Sequence, residues 1–314
     1  MKNFLSIDDV TDLQLLVEQA LTFKQAPFSM QNLGKGKTLG LIFMNPSLRT
    51  RLSTQKAAYQ LGMEVIVMNM NQDGWQLEFE NGTVMDGGTA EHIKEAAAVI
   101  SQYCEIIGIR TFAGLKDKQS DYDELVLNKF VEYAEVPVIS LESATLHPLQ
   151  SLADLVTIKE YQKTDKPKIV LSWAPHPRAL PQAVANSFLQ WASRLNCELV
   201  LTHPPGYELA SRFTNGIQIT QDQNSALEGA DFVYTKNWSS YQQYGQVLTK
   251  NSSWMVTPEK MALTNNGHFM HCLPLRRNVV ASDEVVDNSI VIPQSKNRLF
   301  AAQAVLAEIL SHAS

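Results

Sequence analysis

An α/β fold of two doubly wound, parallel-sheet domains is what the sequence predicts, and three observations carry the prediction. Short apolar, β-rich runs alternate with longer helical patterns along the chain, which is the pattern of βαβ units. The strand candidates are nearly continuous in apolar residues, as strands covered on both faces by helices must be. The length, 314 residues, corresponds to two domains at about 100–200 residues each.

In order, strands are expected at Thr38–Asn45, Glu64–Met70, Ile106–Thr111 and Pro137–Leu141. Helical periodicity marks Leu52–Leu61, Glu91–Tyr103 and Asp123–Tyr133 between them, and Leu149–Tyr161 after them. The turn-like 163–168 segment, KTDKPK, opens the second series. Its strands are expected at Lys168–Ala174, Glu198–His203, Ile217–Thr220, Asp231–Lys236, His268–Leu273 and Ile290–Pro293, with a helix at Leu180–Arg194. A hinge near 142–150 divides the chain into domains 1–146 and 147–296. The remaining 297–314 holds an amphipathic helix, Leu299–Ser311, expected to return to the first domain.

Composition narrows the function classes. Lys+Arg 26 against Asp+Glu 32 leaves a net charge of -6, which disfavours nucleic-acid backbones but not a small anion bound by local cations. No apolar run approaches the roughly 20 residues that span a bilayer, and the N-terminus turns acidic too early for a signal peptide. Three unspaced cysteines, Cys104, Cys197 and Cys272, make neither a disulfide framework nor a zinc site. A reducing, cytoplasmic compartment is expected.

Two motifs are decoys. Gly36-Lys37-Thr38 ends like a P-loop, but Gln31 stands where its first glycine is required, and the segment precedes a strand. His268 and His271 lie on one expected strand, where residues three apart point to opposite faces and share no metal.

The strongest local signal is Asn45-Pro46-Ser47-Leu48-Arg49-Thr50-Arg51, between a strand and a helix. Helix N–H groups, the helix dipole, hydroxyls and arginines converge there as they would on a phosphate. A plain capped helix with solvated arginines reads the same residues equally well. His147 and Gln150 start the next helix after a strand; they suit a carbonyl oxygen and an amide, and a capping histidine is the alternative. Arg110, His176-Pro177-Arg178 and His271-Cys272-Leu273-Pro274 also follow strands, where α/β folds bind ligands. Asn71–Gly88 lacks periodicity and reads either as a functional loop or as plain surface.

In chain order, Ser47-Leu48-Arg49-Thr50-Arg51, Arg110, His147-Pro148-Leu149-Gln150 with Asp154, His271-Cys272-Leu273-Pro274 and Arg298 resemble the aspartate/ornithine carbamoyltransferase family. The resemblance implies a carbamoyl-phosphate domain, an amino-substrate domain, an active site between them and a C-terminal helix returning to the first. It also implies a homotrimer in which the long loop, and Trp75 in particular, enters a neighbour's site. Ser47, Leu48, Arg49, Thr50, Trp75 and Arg110 would hold the phosphate. His147, Pro148, Leu149, Gln150, Cys272, Leu273 and Arg298 would hold the carbamoyl group. Carbamoyl phosphate is an activated mixed anhydride, so no metal or organic cofactor is implied.

One departure bears on the amine. Ornithine-specific members grip the free α-amino group with an aspartate and a serine-methionine-glycine loop; here Lys236-Asn237-Trp238-Ser239-Ser240-Tyr241 has neither. A cation at Lys236 repels an α-ammonium and suits an acyl oxygen or carboxylate, so the resemblance narrows to N-acetylornithine and N-succinylornithine enzymes of arginine biosynthesis. Glu142, His176, Lys236, Arg277 and Glu91 are the expected residues on that side. The chain is more similar to the succinyl branch, yet Glu91 stands near the loop where acetylornithine enzymes present a glutamate and succinylornithine enzymes a proline. Glu91 is therefore expected to favour N-acetylornithine, or else to be a first-turn acid of the following helix. Carbamoylation of ornithine or another amine, and a non-catalytic carbamoyl-phosphate-binding protein, remain the alternatives.

Overall fold

The structure is a computed structural model that describes residues 1–312, apart from the side chains at 71 and 72. The chain divides into two compact units. One comprises Met1–Gly114, Gln119–Leu149 and the chain from Arg298 onward; the other comprises Leu115–Lys118 and Gln150–Asn297.

The first unit is built on β1 (Thr38–Phe43), β2 (Glu64–Asn69), β5 (Ile106–Arg110) and β6 (Val138–Glu142), in the order β2-β1-β5-β6. A separate ribbon pairs β3 (Leu77–Glu78) with β4 (Glu91–His92). All of these pairings are parallel. Leu39, Leu41, Ile42, Ile107 and Ile109 are fully buried, which is why the strands read as unbroken apolar runs. Gly62 follows helix Leu48–Gln60 at φ +81, and a Cβ there would lie 2.1 Å from Gln31 O. Only glycine makes that left-handed turn so close to another backbone.

The second unit carries β7 (Lys168–Trp173), β8 (Glu198–Thr202), β9 (Gln218–Thr220), β10 (Phe232–Lys236) and β11 (His268–Met270), in the order β11-β10-β7-β8-β9. Its pairings are parallel too. Trp173, Phe188, Tyr234 and Trp238 fill the core on one side, and Val170, Val233 and Phe269 belong to the cluster on the other. Strand order reverses between β1 and β5 in the first sheet and between β7 and β10 in the second. Ligands bind at the carboxyl ends of strands that flank such a switch.

Two expectations are corrected. Ile290–Pro293 is not a strand, because helix Val291–His312 begins there. Ile290 and Val291 are buried while Ile292 is exposed, and Pro293 falls in the first turn, where no N–H is needed. Nor does a helix begin at Glu91. Glu91 and His92 pair with Leu77 and Glu78, and the helix is Ile93–Ser101, capped by His92 Nδ1 accepting from Lys94 N at 3.2 Å. Glu91 is therefore no first-turn acid. Among the described residues, no helix is long and apolar enough to cross a membrane.

Candidate active site

At the switch of the first sheet, the chain leaves β1 through Asn45-Pro46 and enters helix Leu48–Gln60. Ser47 occupies the N-cap position but makes no side-chain capping bond, so its hydroxyl is left for another acceptor. Phe43, Met44, Asn45, Pro46, Ser47, Leu48, Arg51 and Asn69 line a cavity of 340 Å³. Arg51 is anchored by donating to Asn69 Oδ1 and lies 5.1 Å above the Phe43 ring. Arg49 and Thr50 fall in the helix's first turn. Thr50 is buried, and its Oγ1 accepts from Arg298 Nη2 at 2.6 Å.

Arg110, at the end of β5, ties this segment down. Its Nη1 donates to Asn45 O at 3.1 Å and to Pro46 O at 3.0 Å. Its Nε and Nη2 reach Glu142 Oε2, on the adjacent strand, at 3.0 and 2.8 Å. His147 Nε2 lies 3.8 Å from the same oxygen and is buried. Ser47, Arg49, Thr50, Arg110, Glu142, His147 and Arg298 thus belong to one unit, several of them in one hydrogen-bonded cluster. Glu142 Oε2 is the atom that Arg110 and His147 share.

His147 is delivered by Ser143–Leu146, and a residue that sequence reading missed holds that loop. Glu124 Oε1 accepts from Ser143 Oγ (2.6 Å), Thr145 N (2.8 Å) and Thr145 Oγ1 (2.6 Å), and Oε2 accepts from Ala144 N (3.0 Å). Pro148 then opens helix Pro148–Tyr161, a position where its missing N–H costs nothing. Nothing in the 121–125 sequence distinguishes Glu124 from an ordinary helix-flanking acid.

On the separate ribbon, Trp75 Nε1 donates to Glu91 Oε2 at 2.7 Å, and the Trp75 side chain is exposed. The loop 71–88 is thus not wholly irregular, since it contributes Leu77–Glu78 to a paired ribbon.

In the second unit, His176 follows β7 and Lys236 ends β10, at that sheet's switch. His176 Nε2 accepts from Arg276 Nε at 3.0 Å, and Nδ1 lies 2.8 Å from Arg178 O. Nδ1 also lies 3.1 Å from the Arg178 backbone N–H, so both ring nitrogens are engaged. Burial first, then the nearby charges of Arg276, Lys236 and Arg178, hold His176 below the usual histidine range. The result is a neutral imidazole among cations, a setting that attracts carboxylates. Arg277 is engaged elsewhere, bonding Asp283 Oδ1 at 3.1 Å and Asp287 Oδ1 at 2.6 Å. Its neighbour Arg276 is the arginine beside His176.

Asn237 Nδ2 donates to Ala174 O (2.7 Å), Trp238 Nε1 to Tyr207 O (2.8 Å) and Ser239 N to Leu180 O (2.9 Å). These bonds fix the segment after Lys236 without the ornithine-type elements. Gln150 and the buried Cys272 belong to this unit, as does Leu273. Among the described residues, no group of three or more His, Cys, Asp or Glu side chains is placed to hold a metal ion.

Two parallel sheets, each with charged side chains at the carboxyl ends of the strands that flank its switch, define an α/β protein of the kind that binds ligands at those ends. The chain belongs to the aspartate/ornithine carbamoyltransferase family: residues 2–160 match its carbamoyl-P binding domain and 181–309 its Asp/Orn binding domain. It is 50% identical over 314 residues to the N-succinylornithine carbamoyltransferase of Bacteroides thetaiotaomicron, covering 99% of both chains. It is 40% identical to the N-acetylornithine carbamoyltransferase of Xanthomonas axonopodis pv. citri, covering 100% of this chain and 98% of that one. A solved N-acetyl-L-ornithine transcarbamylase superposes with a TM-score of 0.93 at 39% identity, covering 98% of this chain and 100% of its own. In that structure one glutamate is replaced by proline, and the protein is complexed with carbamyl phosphate and N-succinyl-L-norvaline.

Proposed function

We propose that this protein transfers the carbamoyl group of carbamoyl phosphate to the δ-amine of an N-acylornithine, giving N-acylcitrulline and phosphate in arginine biosynthesis. The observation that carries the reading is the uncommitted N-cap hydroxyl of Ser47 at the first turn that holds Arg49 and Thr50, on a segment that Arg110 ties down through Asn45 O and Pro46 O. That arrangement preorganises donors where phosphate charge grows as the anhydride breaks. Ser47, Arg49, Thr50 and Arg110 hold the phosphate, with Leu48 and a neighbour's Trp75 closing over it. His147, Arg298, Gln150 and the chain at Cys272 and Leu273 hold the carbamoyl group, beside Pro148 and Leu149.

The neutral δ-amine attacks the carbonyl carbon, a tetrahedral intermediate forms, and the C–O bond to phosphate breaks as the ammonium passes its proton to the departing phosphate. Aligning the two reactants supplies up to about 7–11 kcal/mol of the barrier reduction. Lys236, His176 and Arg276 receive the acylornithine carboxylates; Arg276 replaces Arg277 in this role because Arg277 is ion-paired. Succinyl as the acyl group is supported by the greater identity to a succinylornithine enzyme and by this clustering of cations.

A homotrimer completes the reading. Leu48, Leu52 and Tyr59 are exposed on helix Leu48–Gln60, as are Trp75 and Val84 beyond it, an apolar set suited to a neighbouring copy. The test is a citrulline colour assay with carbamoyl phosphate and N-succinylornithine, N-acetylornithine or ornithine. Product with an acylated ornithine is expected. Product with ornithine alone would reassign the amine, and none with any amine would leave only a binding protein.

A further inference from the structure

Asp154 sits in helix Pro148–Tyr161 with 0% exposure. Its Oδ1 accepts from Gln150 Nε2 at 2.8 Å and from Gln294 Nε2 at 2.7 Å. Gln294 Oε1 in turn accepts the backbone N–H of His271 at 3.0 Å. Gln150 and Gln294 are 2% and 1% exposed, so this network has little water to substitute for a missing partner. Tyr234, fully buried, stays neutral: burial first, then the neighbouring Asp154 carboxylate, push its phenol well above the ordinary range. No second negative charge from that phenol adjoins Asp154.

A carboxylate accepts hydrogen bonds and donates none. An amide side chain can present either its oxygen or its NH2, and its two faces are close to isosteric. Facing Asp154, each glutamine must turn its NH2 inward. Gln294 is then obliged to offer oxygen, which is what the His271 N–H requires. Gln150 is likewise obliged to offer oxygen on its other side, an acceptor suited to the NH2 of a carbamoyl group and unsuited to its C=O.

From this we infer that Asp154 is a positioning residue that sets the polarity of the Gln150 amide towards the carbamoyl NH2 and, through Gln294, holds the main chain at His271 next to Cys272. The inference rests on the carbamoyl transfer proposed above. It explains how one buried charge makes the carbamoyl site discriminate between the two ends of a planar urea-like group. It also adds Gln294, which no motif singles out, to the supports of the site.

The experiment is a mutant cycle on the full chain, read as kcat and KM for carbamoyl phosphate, with melting temperature as the folding control. Wild-type protein must first form N-acylcitrulline; if it does not, the proposed function fails before Asp154 is tested. In Asp154→Asn the partner can present either face, so both glutamines lose their enforced orientation. A kcat about 100-fold lower is expected, with KM within about threefold. Gln294→Ala, which removes only the support at His271, should lower kcat about tenfold. In a Gln150→Ala background there is no amide left to orient, so Asp154→Asn should cost only about the tenfold of the Gln294 arm. Persistence of the full loss in that background would show a merely structural carboxylate and overturn the inference. Should Asp154→Asn not fold, Gln294→Ala decides: a kcat loss near tenfold at unchanged melting temperature supports the relay, and an unchanged kcat overturns it.

Discussion

Glu124 grips Thr145 twice through a single oxygen, accepting its backbone N–H at 2.8 Å and its hydroxyl at 2.6 Å. Glu124 itself stands in the left-handed region at φ 51, a conformation that costs a non-glycine residue energy and persists only when its surroundings enforce it. Further bonds to Ser143 and Ala144 enforce it here. Three successive residues of the loop that delivers His147 thus bond to this carboxylate. In Glu124→Gln one oxygen becomes an NH2; whichever way the amide turns, some loop donor meets another donor. We expect a stability loss of about 2 kcal/mol, the scale of a hydrogen bond to a charged group, and a kcat at least tenfold lower. Thermal unfolding and steady-state kinetics on the same preparation check both.

His176 should give the enzyme an acid limb. Its proton affinity is held below the usual histidine range by burial and by Arg276, Lys236 and Arg178. The neutral ring is the form that accepts from Arg276. Above about pH 6.5 the ring is neutral in both folded and unfolded chains, and this contribution to stability is fully present. As pH falls below that value the unfolded chain takes up the proton first, so stability declines until the depressed folded pKa is passed. As pH falls through the folded pKa itself, the ring of the folded enzyme takes up a proton and stops accepting from Arg276, and KM for the acylornithine should rise. In His176→Gln the amide oxygen still accepts from arginine but does not titrate. Its KM should be flat where the wild type rises; an identical profile would place the acid limb on another group.

Much of the site could be read in the sequence for a definite physical reason. Parallel strands buried on both faces are unbroken apolar runs, so their carboxyl ends are visible, and Asn45–Arg51, Arg110, His147 and His176 all follow such ends. What could not be read depended on contacts between residues distant in sequence. Arg276 and Arg277 are adjacent and chemically identical, and only Asp283 and Asp287 show which one is occupied. Glu124 acts on a loop 21 residues away. Ile290–Pro293 carries strand-like composition, yet its valine, isoleucine and proline sit in a helix's first turn. Glu91 reads as a helix-opening acid, and is displaced into a strand because Leu77–Glu78 is there to pair with it.

Sharing of the site between copies can be tested by complementation. Arg49→Ala removes a proposed phosphate clamp, for which a loss of about 10²–10³ in kcat is expected. Trp75→Ala removes an exposed indole that is proposed to serve a neighbouring copy. When the two inactive chains are mixed into hybrids, a site that draws Arg49 from one chain and Trp75 from another regains both residues. Partial activity should return in the mixture and not in either parent. No return, with subunit exchange verified by mass, would mean that Trp75 acts within its own chain.

The β3–β4 ribbon is the proposed place where the acyl group is read. Glu91 Oε2 receives Trp75 Nε1 at 2.7 Å, while the preceding Ala90 donates its N–H to Gln76 O at 3.1 Å. Successive residues of an extended chain point to opposite faces, so the carboxylate of Glu91 and the methyl of Ala90 face different ways. Succinyl brings a second carboxylate, and two like charges about 4 Å apart repel by roughly 4 kcal/mol at an effective dielectric near 20; acetyl brings none. If the face of Glu91 meets the acyl group, the wild type prefers N-acetylornithine, and Glu91→Pro or Glu91→Ala raises kcat/KM for N-succinylornithine relative to acetyl by at least tenfold. The alanine variant is needed beside the proline one because proline also removes an N–H from the ribbon. If the face of Ala90 meets the acyl group, the wild type already accepts succinyl, its ratio survives Glu91→Ala, and Ala90→Glu moves preference to acetyl. Ratios of kcat/KM for both substrates across these variants separate the two faces. A ratio that moves with neither substitution would remove the ribbon from acyl recognition and leave Glu91 as the partner that holds Trp75.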